Sequence, residues 1–112
     1  MNLEKQIIAD IKEAMLSKNV VRLEVCRAIK AAILIEKTNK VGGILNEEKE
    51  LQILQKLLKQ RRESEKIYND QFRSDLAKNE KDQADIIASY LPSQYSDIEL
   101  ENIIDNLIKE LN

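Results

Sequence analysis

Residues 20–38, VVRLEVCRAIKAAILIEKT, decide the fold. Val25, Cys26, Ile29, Ala32 and Ile33 recur at spacings of three and four, so at about 100° per residue they share one face of a helix. Leu23 and Leu34 lie across from that face. A helix this apolar around its circumference is expected at the centre of a bundle. The second face, Leu23, Arg27, Lys30 and Leu34, is expected to pack within the chain; a symmetry mate or a ligand are the other partners open to it. Arg22, Glu24, Arg27 and Lys30 exclude a membrane span, the charges being too many for the bilayer core.

Working outward, Leu3, Ile7, Ile11, Ala14 and Met15 give a first helix over about Leu3–Lys18, with Ile8 widening its stripe. Asn19 is placed to end that helix and cap the next, since its amide oxygen can accept a free N–H of a new first turn. So short a hinge predicts an antiparallel pair. On the other side, Gly42 and Gly43 break the pattern in a loop over Asn39–Leu45. Two adjacent glycines lack the spacing and the flanking strand of a nucleotide fingerprint, so the loop is read as a connection only. A third helix starts at Asn46, with Glu47 and Glu48 suiting the positive end of the helix dipole. Leu51, Leu54, Leu57 and Leu58 mark its buried side; Arg61, Glu65 and Tyr68 continue that side, with an Arg61–Glu65 pair expected. A break at Asn69–Ser74 leads to a fourth helix capped by Ser74, with Leu76, Ala84, Ile87 and Leu91 facing inward, and Pro92 stops it. Ser96-Asp97-Ile98-Glu99 then matches a capping box, Tyr95 and Leu100 a hydrophobic staple. Leu100, Ile103, Ile104, Leu107 and Leu111 form a last amphipathic stripe. That helix folds back on the bundle, meets another chain, or opens a second small domain; the sequence does not choose among these.

The class is therefore all-α, a bundle of about five helices with antiparallel neighbours: residues 1–92 as a helical bundle domain, 93–112 as the first helix of a second small subdomain. The composition agrees: 112 residues, 43% hydrophobic, 34% charged, two Gly, one Pro and no Trp fit one helical core with a solvated exterior. No signal-peptide pattern opens the chain. A single Cys26, read as a small buried hydrophobe with no His to activate it, suits a reducing compartment, and the expectation is cytoplasmic. The net charge of −2 hides an asymmetry: residues 1–66 carry fourteen Lys/Arg against ten Asp/Glu, residues 67–112 four against ten. A polyanion would be steered to the amino-terminal part.

Without His, acid–base chemistry would fall to carboxylates or Lys, and the acids are scattered as on solvated helix faces. No Glu-x-x-His pair anchors a bundle metal site. No catalytic residue, metal ligand or cofactor is assigned.

Several segments in order resemble one family. They are Leu3, Ile7, Asp10, Lys12, Ala14-Met15 and Lys18; Arg22-Leu23, Arg27 and Ala31-Ala32-Ile33; Lys59-Gln60-Arg61-Arg62-Glu63-Ser64; Arg73, Asp75-Leu76-Ala77 and Glu80; and Tyr90-Leu91-Pro92, Gln94, Ser96 and Glu99-Leu100. Together they are similar to the YqeY family, whose fold is shared with the tail region of the B subunit of the glutamine-dependent aspartyl/glutamyl-tRNA amidotransferase. Where the family has a small Ala-Gly pair before the matching Arg73, this chain carries Gln71-Phe72, which bears on the shape of that turn. The family's second subdomain continues for several helices past the capping box, so the resemblance implies that its remainder is missing after Asn112. It also implies association with tRNA or a tRNA-amidation complex. The family label of carbon–nitrogen ligase with glutamine as amido donor is read as inherited, because the resemblance covers neither an ammonia-releasing nucleophile nor an ATP and metal site.

With that link, the RNA-binding candidates are Lys56, Lys59, Arg62 and Lys66 of the third helix, joined by Arg27, Lys30 and Arg73. Basic side chains supply salt-dependent phosphate contacts, although charge runs on helices are commonly ion-paired faces. Tyr68 and Tyr90 can stack on bases, but core packing is their commoner role. The alternative is a protein–protein or homo-oligomer module docking through Leu100, Ile103, Ile104, Leu107 and Leu111 or the second face of the second helix. No DNA or membrane partner is expected.

Overall fold

The computed structural model describes residues 2–39 and 45–92, and among them the chain forms four helices and no strand. They are α1 (Leu3–Ser17), α2 (Val20–Asn39), α3 (Glu47–Asp70) and α4 (Ser74–Ser89). The all-α class holds. The count is one fewer than expected, because the fifth helix was placed in residues 93–112, which lie outside the described residues together with the capping box and the paired glycines.

Local signals set the boundaries. Asn2 accepts the Lys5 N–H at 3.1 Å and starts α1. α1 ends as the Lys18 N–H bonds the Met15 carbonyl and the Asn19 N–H bonds the Ala14 carbonyl, with Lys18 at φ 57. That is the Schellman pattern, which closes the orphan carbonyls of a helix end. Asn19 then accepts the Arg22 N–H at 3.1 Å, performing the double duty its position predicts. Asn46 accepts the Lys49 N–H at 2.8 Å, and Glu47, Glu48 and Glu50 fill the first turn of α3.

The α3–α4 turn repeats the Schellman geometry: the Phe72 N–H reaches the Asn69 carbonyl and the Arg73 N–H the Tyr68 carbonyl. Arg73 is thereby already the residue before α4, so Ser74 is its first residue and not the expected cap. Phe72 sits at φ 59 and is 94% exposed. The turn thus needs a left-handed residue at the position where the resemblance implies a glycine, and a Cβ there costs roughly 1–2 kcal/mol. Against the unfolded-state entropy that a glycine adds, Phe72→Gly is expected to stabilise the chain by roughly 0.5–1 kcal/mol. A higher urea midpoint at unchanged m-value checks it; a lower one would mean the Phe72 ring makes contacts that outweigh its backbone strain.

The chain folds as two antiparallel hairpins, α1 with α2 and α3 with α4, and α2 also packs on α3 and α4. Its Val25, Cys26, Ile29 and Ile33 are fully buried, against Leu3 and Ile7 of α1, Ile53, Leu54 and Leu58 of α3, and Ala84, Ile87 and Leu91 from the α4 side. The expectation of a central second helix is met. Two apolar residues assigned to the α1 stripe, Ile8 and Met15, stand more than half exposed, and Leu34 is half exposed on the second face of α2. The position those residues yield is filled by Asp10, which is buried.

Polar bonds lock the hairpins. The Leu3 N–H donates to the buried Glu50 carboxylate at 2.6 Å, so α3 satisfies an orphan donor of α1. Lys37 of α2 pairs with Glu4 of α1 at 3.1 Å. In the α3–α4 seam the Arg61 Nε donates to Gln83 at 2.8 Å and faces Glu80 at 3.8 Å. The expected Arg61–Glu65 pair is not formed, since a half-buried guanidinium facing α4 takes the partners that α4 offers; Glu65 bonds to Arg62 at 3.2 Å.

Candidate functional site

The basic candidates divide into two groups. Lys56, Lys59 and Lys66 are exposed on α3, Arg27 and Lys30 on α2, and no ion pair joins any of the five to another described residue. Lys59 and Lys66, seven residues apart, differ by about 20° around the helix axis, and Lys56 lies within roughly 80° of both. Glu63, also exposed, falls inside the same strip. Lys56 further borders a shallow groove of about 200 Å³ between α2 and α3, floored by Ala32, Ile53 and Leu57 with Ile35 and Glu36 on the far rim. Arg27 and Lys30 do not line this groove.

Arg62 and Arg73 form the second group. Arg62 bonds Glu65 at 3.2 Å and Asp85 of α4 at 2.9 Å, and only 24% of its side chain is exposed. Asp85 is shared with Lys81 at 2.8 Å, closing a network across the hairpin. Arg73 faces Asp75 at 3.4 Å, and its hydrogen bond holds the Asp75 carboxyl below the ordinary range. Arg62 thus ties α3 to α4, while the Arg73–Asp75 pair is local and solvent-exposed. The docking candidates Leu100, Ile103, Ile104, Leu107 and Leu111 lie outside the described residues.

A polar constellation that the sequence reading did not assemble lies where α1, the start of α2 and the end of α4 meet. Asp10 accepts from Gln6 Nε2 at 3.0 Å and from the Tyr90 hydroxyl, and Arg22 Nη2 stands 3.7 Å from the same carboxylate. Cys26, buried and free, places its Sγ 3.3 Å from the Tyr90 hydroxyl. Burial first, then the bonds to Asp10 and Cys26, push the Tyr90 phenol above its ordinary range, so it stays a protonated donor. Tyr90 is therefore an internal hydrogen-bonding residue and not a base-stacking platform. Asp10, Arg22 and Tyr90 all occur among the residues carrying the family resemblance; periodicity alone could not join them, because Asp10 and Tyr90 are eighty residues apart.

Beside this cluster opens a cleft of about 490 Å³, lined by Asn2, Gln6, Asp10, Arg22, Ser89 and Tyr90. No described helix is long and apolar enough to cross a membrane.

"Altered inheritance of mitochondria protein 41, mitochondrial", of Clavispora lusitaniae, is 33% identical over 105 residues, covering 91% of this chain. The chain spans 60% of that relative's length. A family model described as "Yqey-like protein" matches residues 4–112, and the chain belongs to the YqeY family.

Proposed function

We propose that this chain is a cytoplasmic tRNA-contacting helical module, associated with tRNA-dependent amidation and without a catalytic centre of its own. The observation that carries the reading is the strip of Lys56, Lys59 and Lys66 on α3, exposed and unengaged by described acidic residues while neighbouring Arg62 is committed to Glu65 and Asp85. Arg27 and Lys30 add exposed charge on α2. Lysines so placed contact phosphates as point charges; they supply affinity and steering, not sequence readout. Glu63 within the strip weakens its potential, so binding is expected to be modest and strongly salt-sensitive. The free, buried thiol of Cys26 supports a reducing compartment. The ligase activity attached to the family label is not assigned to this chain, which has no His and whose buried acids, Asp10 and Glu50, are engaged by Tyr90, Gln6 and the Leu3 N–H.

The test is a tRNA titration by fluorescence anisotropy over a salt series. The Lys56→Ala, Lys59→Ala, Lys66→Ala triple variant is expected to lose about tenfold in affinity and to flatten the log–log salt slope by roughly two to three. Absence of binding at low salt, or an unchanged slope in the variant, would remove the proposal. A second reading, a protein-docking or self-associating module, is favoured by Leu34 and Ile35 of α2, exposed at 49% and 61%. A mass that rises with concentration and reverts in Leu34→Asp would select it.

A further inference from the structure

The cleft beside Asp10 has a donor surplus. Its volume, about 490 Å³, lies within the roughly 300–1,000 Å³ typical of small-molecule sites. Asp10 is 5% exposed and its two oxygens are taken by Gln6 and Tyr90. Among the described residues, Arg22 has one ion partner, at 3.7 Å and beyond a hydrogen bond, and its buried Nε has no acceptor. A guanidinium carries five donors in a planar fork made for two oxygens of one anion. Asn2 spends its oxygen on the Lys5 N–H, which leaves its amide NH₂ unspent. Gln6 gives one N–H to Asp10 and keeps a second. Asn2 also caps α1, so the positive end of that helix dipole adds to the Arg22 charge. The nearby carboxylates oppose an anion only in part: Asp10 is turned into its internal bonds, and Glu50 is buried on the Leu3 N–H.

We propose that this cleft binds a small oxyanion group, a carboxylate or a phosphate, on the Arg22 guanidinium, with the side-chain amides of Asn2 and Gln6 as flanking donors. The site is separate from the α3 lysines and does not depend on the RNA reading. With two carboxylates close by, affinity is expected on the order of millimolar for an isolated anion.

The experiment is an NMR titration of the ¹⁵N-labelled full chain with inorganic phosphate and, separately, with acetate, against chloride at matched ionic strength. Saturable movement of the Arg22 Nε–H signal is the expected result. Phosphate alone, acetate alone, or both will show which oxyanion the site takes. Arg22→Gln is expected to weaken binding at least tenfold, and the Lys56, Lys59, Lys66 triple Ala variant to leave it unchanged. The proposal is overturned if neither anion moves the Arg22 signal saturably, if a folded Arg22→Gln protein keeps wild-type affinity, or if the lysine variant abolishes binding. Should Arg22→Gln lose its helical circular dichroism, the wild-type Arg22 Nε–H titration decides alone.

Discussion

Ile29→Ala is expected to lower the free energy of unfolding by about 3–4 kcal/mol, the loss for a large core residue whose cavity cannot collapse. Ile29 is fully buried at the middle of α2, the helix packed on all three others. At the middle of a helix that packs against three others, the surroundings relax only in part, so the transfer and cavity terms add. Against a domain total of about 5–15 kcal/mol, this brings the chain near the margin of folding. Leu34→Ala on the same helix, where the side chain is 49% exposed, is expected to change stability by about 0.5 kcal/mol or less. Urea denaturation of both variants, followed by helical circular dichroism, checks the pair. Equal losses at the two positions would contradict a central α2 with one buried face.

The contrast between Ile29 and Leu34 also shows how far the sequence was legible. Apolar spacing found the buried faces of α1, α2 and α3, because burial there is by hydrophobic residues at helical intervals. The caps at Asn19 and Asn46 were readable because the cap bond is local, three residues along the chain. What escaped were positions whose burial is enforced by a distant partner. Asp10 occupies a buried site on α1 that a hydrophobicity pattern passes over, and its bond to Tyr90 at the end of α4 is what a local reading does not see. Arg61 was expected to look four residues along its own helix to Glu65, yet α4 supplies Gln83 and Glu80 across the seam. For the same reason Arg62 and Lys59, three residues apart and alike in sequence terms, differ in what they offer a partner: one meets α4 and the other faces solvent. The left-handed Phe72 was foreshadowed only by its departure from the family's Ala-Gly pair.

Asp10→Ala is expected to cost about 2–3 kcal/mol, in the upper range for losing a charged hydrogen-bond acceptor. The full 3–5 kcal/mol of a broken buried ion pair is not expected, because Arg22 keeps 38% of its side chain exposed and regains water. Tyr90 likewise retains Cys26 Sγ at 3.3 Å as a second partner. Tyr90→Phe removes the other end of the bond, and a double-mutant cycle is expected to return a coupling of about 1–2 kcal/mol between residues on α1 and at the end of α4. The alkaline limb gives an independent reading. The folded phenol is raised above its ordinary value of 10.0, first by burial and then by the Asp10 bond. The stability it adds is therefore complete below about pH 10 and falls as the pH climbs past it, where the unfolded tyrosine ionises and the folded one keeps its proton. Tyr90→Phe is expected to make that alkaline decline shallower than in the wild type. A coupling near zero, together with an unaltered alkaline limb, would mean that Asp10 and Tyr90 are not bonded in solution. The cleft would then lose the wall that leaves Arg22 its spare donors.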